Sequence, residues 1–216
     1  MLPNVIFDCD GVLVDSEAIS NRVLAAMLTD IGLPTTPEES MASFLGRGWR
    51  TNADTIEARL GRPLGEDFHV RYHEATFAAF QQELELVPGV AAALDAISNP
   101  SCVASSGSHE KLRMTLGHTG LLERFEGRIF SADEVEHSKP APDLFLHAAE
   151  CMGWAPADCV VVEDSGAGVK AAHAAGMRVL GYAGRTDPAL LAGSAVFSRM
   201  EELPALLAAQ AQSPPA

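Results

Sequence analysis

Short apolar runs recur along the chain, and each is nearly continuous rather than alternating with polar residues. They lie at residues 5–7, 102–105, 128–130, 159–162 and 178–182. Runs of this kind are typical of parallel strands that are covered on both faces of a sheet. Between the later runs, apolar residues recur at the three- and four-residue spacing of helices. These helical stretches are residues 109–116, 144–152 and 169–175. Strands that alternate with helices predict an α/β fold with a doubly wound parallel sheet.

The chain between the first and second apolar runs follows a different pattern. Residues 16–85 contain no strand candidate, and their apolar residues are spaced for amphipathic helices. These residues are Leu24, Met27, Leu28, Ile31, Ile56, Leu60, Phe68, Tyr72, Phe77 and Phe80. We therefore predict a Rossmann-like core at residues 1–15 and 86–216, with an all-helical cap inserted at residues 16–85.

The overall charge limits the classes of partner. The chain of 216 residues has 15 Lys and Arg against 29 Asp and Glu, a net charge of −14. Nucleic acids and anionic membranes select basic surfaces, so neither is expected as a partner. An anionic substrate would need a local cation to offset the repulsion, and a bound divalent metal would supply one. Because the first residues lack the basic start and cleavage site of a signal peptide, we expect a cytoplasmic protein.

Two aspartates follow the first predicted strand. Asp8 and Asp10 lie where an open parallel sheet binds ligands, at the carboxyl end of the strand. Being two residues apart, they would point to the same side in extended chain, and Gly11 would let the chain turn closely around a ligand. Converging carboxylates repel unless a cation or a proton lies between them, and oxygen-rich sites suit Mg²⁺. Taken alone, the same residues would equally suit an acidic surface turn.

The other strand ends each allow a structural and a functional interpretation. Ser106 and Gly107 lead into a helix, where they would either cap it or hold a phosphate. Lys139 precedes a helix, and is either a solvated surface lysine or a cation balanced by a bound anion. Glu163 and Asp164 end an apolar strand, and would either cap the next helix or bind metal. Because all these residues fall at one edge of the sheet, their combination predicts a metal-assisted phosphoryl-transfer site.

The chain resembles the haloacid dehalogenase-like hydrolases, and most closely their helical-cap branch of phosphosugar phosphatases and β-phosphoglucomutase. The segment "FDCDGVLVDSE" is similar to the first motif of the family and "VASSGS" to the second. The segments "KPAPDLF" and "VVVEDSGAG" are similar to the third and fourth motifs. The resemblance spans nearly the whole chain, with the helical insertion in the expected place.

The resemblance implies a role for each acidic residue of the core. Asp8 would be the nucleophile that becomes an aspartyl-phosphate. Asp10 would be the general acid for the leaving oxygen and then the base for water. Asp8, the main-chain carbonyl of Asp10, and Asp164 would bind Mg²⁺, with Glu163 as a direct or water-mediated ligand.

The resemblance also implies how the phosphoryl group would be held. Ser106 and the backbone amide of Gly107 would bind its oxygens. Lys139 would connect that charge to Asp8, which would offset the repulsion between an anionic nucleophile and an anionic phosphate.

The predicted cap departs from the family pattern at one position. Relatives of β-phosphoglucomutase carry a histidine five residues after the last aspartate of the first motif, and that position is Ser20 here. The segment "FLGRGW" keeps Gly46 and places Arg47 and Trp49 beside it. Arg47 would reach a second anionic group of the substrate, and Trp49 would cover a sugar face. The alternative is an ordinary turn between two helices.

The expected function is Mg²⁺-dependent hydrolysis of a small phosphorylated metabolite, a sugar or sugar-acid phosphate, through an aspartyl-phosphate. One alternative is a phosphomutase, which Ser20 disfavours because a serine is not a base comparable to histidine. Another is a non-catalytic phospho-ligand-binding protein, which the presence of Asp8 and Asp10 disfavours. Dehalogenation is not expected, because true dehalogenases of this family lack an acid two residues after the nucleophile. A monomer is compatible with the sequence.

Overall fold

The computed structural model describes residues 2–45 and 49–210. The chain divides into two compact units, Met1–Val14 with Glu85–Ala216, and Asp15–Leu84. The boundaries predicted for the core and the cap lie one residue later along the chain. Over the described ranges, every helix is too short or too polar to cross a membrane.

The described strands and α-helices are numbered in chain order. The strands are β1 (Asn4–Phe7), β2 (Ser101–Ser105), β3 (Ile129–Ser131), β4 (Cys159–Glu163), β5 (Arg178–Tyr182) and β6 (Ala195–Phe197). The α-helices up to residue 84 are α1 (Glu17–Asp30), α2 (Pro37–Phe44), α3 (Trp49–Leu60) and α4 (Phe68–Glu83). The later α-helices are α5 (Val90–Ala96), α6 (His109–His118), α7 (Leu122–Phe125), α8 (Asp143–Met152), α9 (Gly166–Ala174) and α10 (Leu203–Gln210).

The strands of the first unit form one parallel six-stranded sheet with the order β3-β2-β1-β4-β5-β6. The chain moves outward from β1 to β3, and then returns to β4 and moves outward to β6. Strands β1 and β4 are therefore neighbours at the switch point, where open α/β sheets bind ligands. The predicted doubly wound parallel sheet is confirmed.

The sheet is covered on both faces, which explains its continuous apolar runs. Successive residues of a strand point to opposite faces. Ile6 lies in a buried cluster with Phe145 of α8 and Ala172 of α9. Phe7 instead meets Phe125 of α7 in an edge-on contact, with 6.2 Å between the ring centroids.

One strand of the sheet was not predicted from the sequence. Strand β6 lies at an edge, and Ala195 and Val196 are exposed while Phe197 is buried. Its three residues are all apolar, as in the run at residues 5–7, so the signal was present in the sequence but was not recognised as a strand. The third strand also begins one residue later than predicted, at Ile129.

The second unit is all-helical within its described residues. The start of α2 is a capping box, in which the hydroxyl of Thr36 accepts from the N–H of Glu39 at 3.2 Å. The carboxylate of Glu39 accepts from the N–H of Thr36 at 2.8 Å. A buried apolar cluster of this unit contains Leu24, Leu28, Phe44, Ile56 and Phe68. The helical spacing of apolar residues therefore identified most of the core of this unit.

Candidate active site

Asp8 is the first residue after β1 and lies at the switch point of the sheet. Its N–H donates to the carbonyl of Val162 in β4 at 3.0 Å. The residue is only 7% exposed. Burial raises the pKa of its carboxyl group to about 7, an effect that Lys139 opposes and Glu163 adds to. A further cation near Asp8 would favour the charged form that a nucleophile needs.

Lys139 is a buried lysine that pairs with two carboxylates. Its Nζ donates to Asp8 Oδ1 and to Glu163 Oε1, both at 2.8 Å, and to the carbonyl of Ala104 at 3.2 Å. The side chain is 5% exposed, and its Nζ lies 4.7 Å from the centroid of the Phe145 ring. Burial alone would lower the pKa of Lys139, but the two carboxylates outweigh it and raise the pKa above its ordinary value. The structure therefore rules out a solvated surface lysine.

The acidic residues at the ends of β1 and β4 converge. Asp8, Glu163 and Asp164 each offer a carboxylate oxygen, and these oxygens all lie within 4.8 Å of one another. Glu163 is further held by Ser165, whose N–H and hydroxyl donate to Glu163 Oε2 at 2.7 and 2.9 Å. An all-carboxylate donor set of this size fits a hard divalent cation such as Mg²⁺.

The loop after β1 passes close to Asp164 because it contains a glycine. Gly11 has a positive φ of 72°, and a Cβ built on it would lie 2.1 Å from Asp164 Oδ2. Any other residue would strain the backbone and displace the carboxylate. Gly11 therefore permits a close approach of the loop to Asp164, whereas the predicted close turn around a bound ligand stays a prediction.

Asp10 pairs with a residue that the sequence had not singled out. Lys111 Nζ donates to Asp10 Oδ2 at 2.7 Å. Lys111 lies in the first turn of α6, where the helix dipole disfavours a cation unless an anion compensates it. That is the same criterion that selected Lys139, so the signal was present in the sequence.

The serine-glycine turn after β2 is fixed on both sides. Ser108 caps α6, because its hydroxyl accepts from the N–H three residues later at 3.3 Å. The N–H of Gly107 donates to Ser105 Oγ at 3.3 Å, and Ser131 Oγ donates to the carbonyl of Gly107 at 2.7 Å. Ser106 is exposed at this turn. Since Ser108 and not Ser106 caps the helix, the hydroxyl of Ser106 is left for another role.

The residues predicted for the cap contribute differently. Gly46 and Arg47 lie outside the described residues. Trp49 begins α3, and its ring centroid lies 4.4 Å from that of His69 and 5.5 Å from that of Tyr72. The indole therefore stacks against aromatic rings of its own unit, and its contact with a sugar stays a prediction.

Comparison with known proteins identifies the family. The model of the haloacid dehalogenase-like hydrolases matches residues 3–176. The chain belongs to this family. The 6-phosphogluconate phosphatase of Escherichia coli K12 is 34% identical over 206 residues, which are 94% of this chain and 93% of the relative. The predicted family and its hydrolytic enzyme class are confirmed.

Solved structures of the haloacid dehalogenase-like family have the same fold. A conserved family member from Agrobacterium tumefaciens has a TM-score of 0.89 and 38% identity, and the match covers 98% of this chain and all (100%) of that one. A family hydrolase from Deinococcus radiodurans R1, solved with bound phosphate and sodium, has a TM-score of 0.81 and 31% identity. That match covers 100% of this chain and 99% of the other.

In this haloacid dehalogenase-like hydrolase, the predicted core residues fall into three groups. Asp8, Lys139 and Glu163 are joined by hydrogen bonds. A carboxylate oxygen of Asp164 lies within 4.8 Å of carboxylate oxygens of Asp8 and Glu163. Asp10 forms a separate pair with Lys111. Ser106 and Gly107 follow β2, the other neighbour of β1 in the sheet. Buried anions held by a buried cation suit the binding and transfer of a phosphoryl group.

Proposed function

We propose that this haloacid dehalogenase-like phosphatase hydrolyses sugar or sugar-acid phosphates, with Mg²⁺ as cofactor and an aspartyl-phosphate on Asp8. The observation that carries the proposal is the buried contact of Lys139 with both Asp8 and Glu163, beside Asp164. A buried lysine between carboxylates offsets charge where an anionic phosphate would enter. The substrate class is supported by the 6-phosphogluconate phosphatase of E. coli, a relative that matches along nearly the whole chain.

The first half of the reaction transfers the phosphoryl group to Asp8. Lys139 holds Oδ1 of Asp8 and so fixes the direction of the carboxylate. A carboxylate oxygen of Asp8 attacks phosphorus, the bond from phosphorus to the alcohol oxygen breaks, and Asp10 donates a proton to that oxygen. Ser106 and the amide of Gly107 bind the phosphoryl oxygens during the transfer, and the amide gives up its bond to Ser105 Oγ.

The second half releases phosphate. Asp10, now a carboxylate, takes a proton from water as the water oxygen attacks phosphorus. The bond between phosphorus and Asp8 breaks, which returns the nucleophile and releases inorganic phosphate. Lys139 again balances the charge on Asp8.

The metal would be held by Asp8, Asp164 and the main-chain carbonyl of Asp10. When bound, Mg²⁺ supplies positive charge to the phosphoryl oxygens. Both carboxylate oxygens of Glu163 are engaged, Oε1 by Lys139 and Oε2 by Ser165. We therefore propose that Glu163 contacts the metal through water rather than directly.

The test is a screen of the purified protein against phosphorylated metabolites, with phosphate release as the readout. The panel contains sugar phosphates, sugar-acid phosphates including 6-phosphogluconate, nucleoside monophosphates and p-nitrophenyl phosphate. We expect the highest kcat/KM for a sugar or sugar-acid phosphate. Absence of phosphate release from every compound in the presence of Mg²⁺ would refute the proposal.

A second assay separates the phosphatase from the mutase. A mutase must keep its aspartyl-phosphate from water while the sugar is rephosphorylated, and Ser20 in α1 is not a base comparable to histidine. Given a sugar 1-phosphate with catalytic bisphosphate, we expect free phosphate and free sugar. Accumulation of the 6-phosphate faster than free phosphate would replace the phosphatase with a mutase.

A further inference from the structure

The ion pair of Lys111 and Asp10 connects helix α6, which follows β2, to the loop that follows the neighbouring strand β1. Lys111 Nζ lies 2.7 Å from Asp10 Oδ2, and the two side chains are only 21% and 18% exposed. Fully exposed ion pairs are weakened by solvent screening and by side-chain entropy. A pair with this little exposure holds its geometry better than a pair at the surface.

The backbone and the stem of Lys111 are both constrained. Its N–H donates to Ser108 Oγ at 3.3 Å, and its carbonyl accepts from Thr115 Oγ1 at 3.0 Å. The stem passes over Gly107, because a Cβ built there would lie 3.3 Å from Lys111 Cδ. The lysine therefore reaches Asp10 along a path that is set by the glycine turn and the helix cap.

The position of Lys111 is unfavourable without an anion. It is the third residue of α6, close to the positive end of the helix dipole, where acidic residues are favoured. Pairing with Asp10 offsets that cost. A lysine placed at the wrong end of a helix and tied to one carboxylate indicates a role directed at that carboxylate.

We propose that Lys111 is a positioning residue that orients the carboxyl group of Asp10 for proton transfer. The inference rests on the proposed function, in which Asp10 is the general acid and base. Proton transfer requires hydrogen-bond distance between the acid and the leaving oxygen. A misplacement of about 1 Å costs up to about 10²-fold in rate, so orientation of the acid has a measurable effect. Lys111 acts through Asp10 and does not touch the reacting atoms.

The test compares two esters that differ in their need for a proton. p-Nitrophenolate leaves readily without protonation, whereas the leaving group of phenyl phosphate is more basic and depends on the acid. Both esters are assayed with Mg²⁺, and kcat/KM is used because it reports the first half of the reaction. We expect Lys111→Met to lower kcat/KM about 10-fold for phenyl phosphate and less than about 3-fold for p-nitrophenyl phosphate.

Two further variants serve as controls. Lys111→Arg keeps the charge and should recover most of the activity on phenyl phosphate. Lys170→Met removes an exposed lysine of α9 and should leave both values unchanged. The ratio of the kcat/KM values for the two esters, measured on one variant, does not depend on the fraction of protein that is folded. A loss of stability therefore cannot produce the expected result.

A double-mutant cycle decides whether Lys111 acts through Asp10. In the background of Asp10→Asn, Lys111→Met should cost little further activity on phenyl phosphate. The inference would be overturned if the losses of the two single variants multiplied in the double variant, or if Lys111→Met lost equal activity on both esters. Either result would favour a direct contact of Lys111 with the substrate anion. If wild-type protein releases phosphate from neither ester and from no compound of the metabolite panel, the proposed function fails. If wild type is active and Lys111→Met is equally active, only the positioning role fails.

Discussion

The end of the sheet in the first unit and the aromatic cluster of the second unit are stabilised by different interactions. At the carboxyl ends of the central strands, Lys139 is almost fully buried and is held by directional bonds to Asp8 and Glu163. In the helical unit, Trp49 and Tyr72 contribute to packing by stacking of their rings. Directional charge pairs tolerate no exchange of a donor or acceptor, whereas apolar packing tolerates changes that conserve volume. Conservative substitutions should therefore have larger effects at the end of the sheet than in the helical unit.

The largest effect is expected at Asp8. Asp8→Asn replaces one oxygen by an amide and removes the charge of the nucleophile with little change in volume. Turnover should fall by about 10⁴-fold or more, measured as phosphate release from p-nitrophenyl phosphate. Asp158→Asn, at an exposed position of the same unit, is the matched control. Activity within about tenfold of wild type, in a protein with an unchanged circular dichroism spectrum, would contradict the assignment of the nucleophile.

Removal of the metal should have an effect of similar size. Chelation with EDTA should abolish phosphate release, and excess Mg²⁺ should restore it, because Asp8, Glu163 and Asp164 converge in an acidic protein. Ca²⁺ should inhibit, since its larger and looser coordination misplaces the nucleophile. Mg²⁺ should also raise the melting temperature of wild type, and Asp164→Asn should reduce that shift. Full activity in excess chelator would refute the metal site.

Lys139 should affect both stability and rate. Lys139→Met keeps the length of the stem but leaves Asp8 and Glu163 without the buried cation between them. The free energy of unfolding, measured in urea, should fall by about 3 kcal/mol. We expect kcat/KM to fall by about 10²-fold or more. Lys170→Met, at an exposed position, should change stability by no more than about 0.5 kcal/mol. A near-normal rate for Lys139→Met would show that the buried charge is not used in catalysis.

The smallest effect on chemistry is expected in the helical unit. Trp49→Ala removes the stacking on His69 and Tyr72, and should lower the free energy of unfolding by about 2 kcal/mol. Trp49→Phe keeps a ring and should lose less. For both variants, kcat/KM on p-nitrophenyl phosphate should stay within about threefold of wild type. A much larger loss on 6-phosphogluconate than on the aryl ester would instead indicate contact with the sugar.

Much of the fold could be predicted because burial leaves a local pattern. Ile6 and Phe7 are covered on opposite faces of the sheet, so the run is apolar throughout. Ile56 of α3 and Phe68 of α4 each belong to a set of apolar residues at helical spacing, because one side of each helix is buried. Strand β6 was missed although its three residues are all apolar, and in the structure only the last of them, Phe197, is buried.

The candidate site could be predicted only in part. The aspartates, the serine-glycine turn, Lys139 and the acid pair were recognised from their places at the ends of apolar runs. The resemblance implied the contact of Lys139 with Asp8, but the pairing of Lys111 with Asp10 was not recognised, since it joins residues that are far apart in the chain. Ser165 was likewise missed, although its hydroxyl and N–H hold Glu163.

The order of elements, the helical insertion and the types of side chain at each strand end are properties of the linear chain, because short-range periodicity records which faces are buried. Tertiary structure alone decided that β1 lies between β2 and β4, which brings Asp8 beside Glu163. It also decided that Lys139 is buried between those two carboxylates and that Lys111 reaches Asp10. The physical reason is that strand neighbours and register are selected by packing and backbone hydrogen bonds between distant segments, which local patterns of polar and apolar residues do not specify.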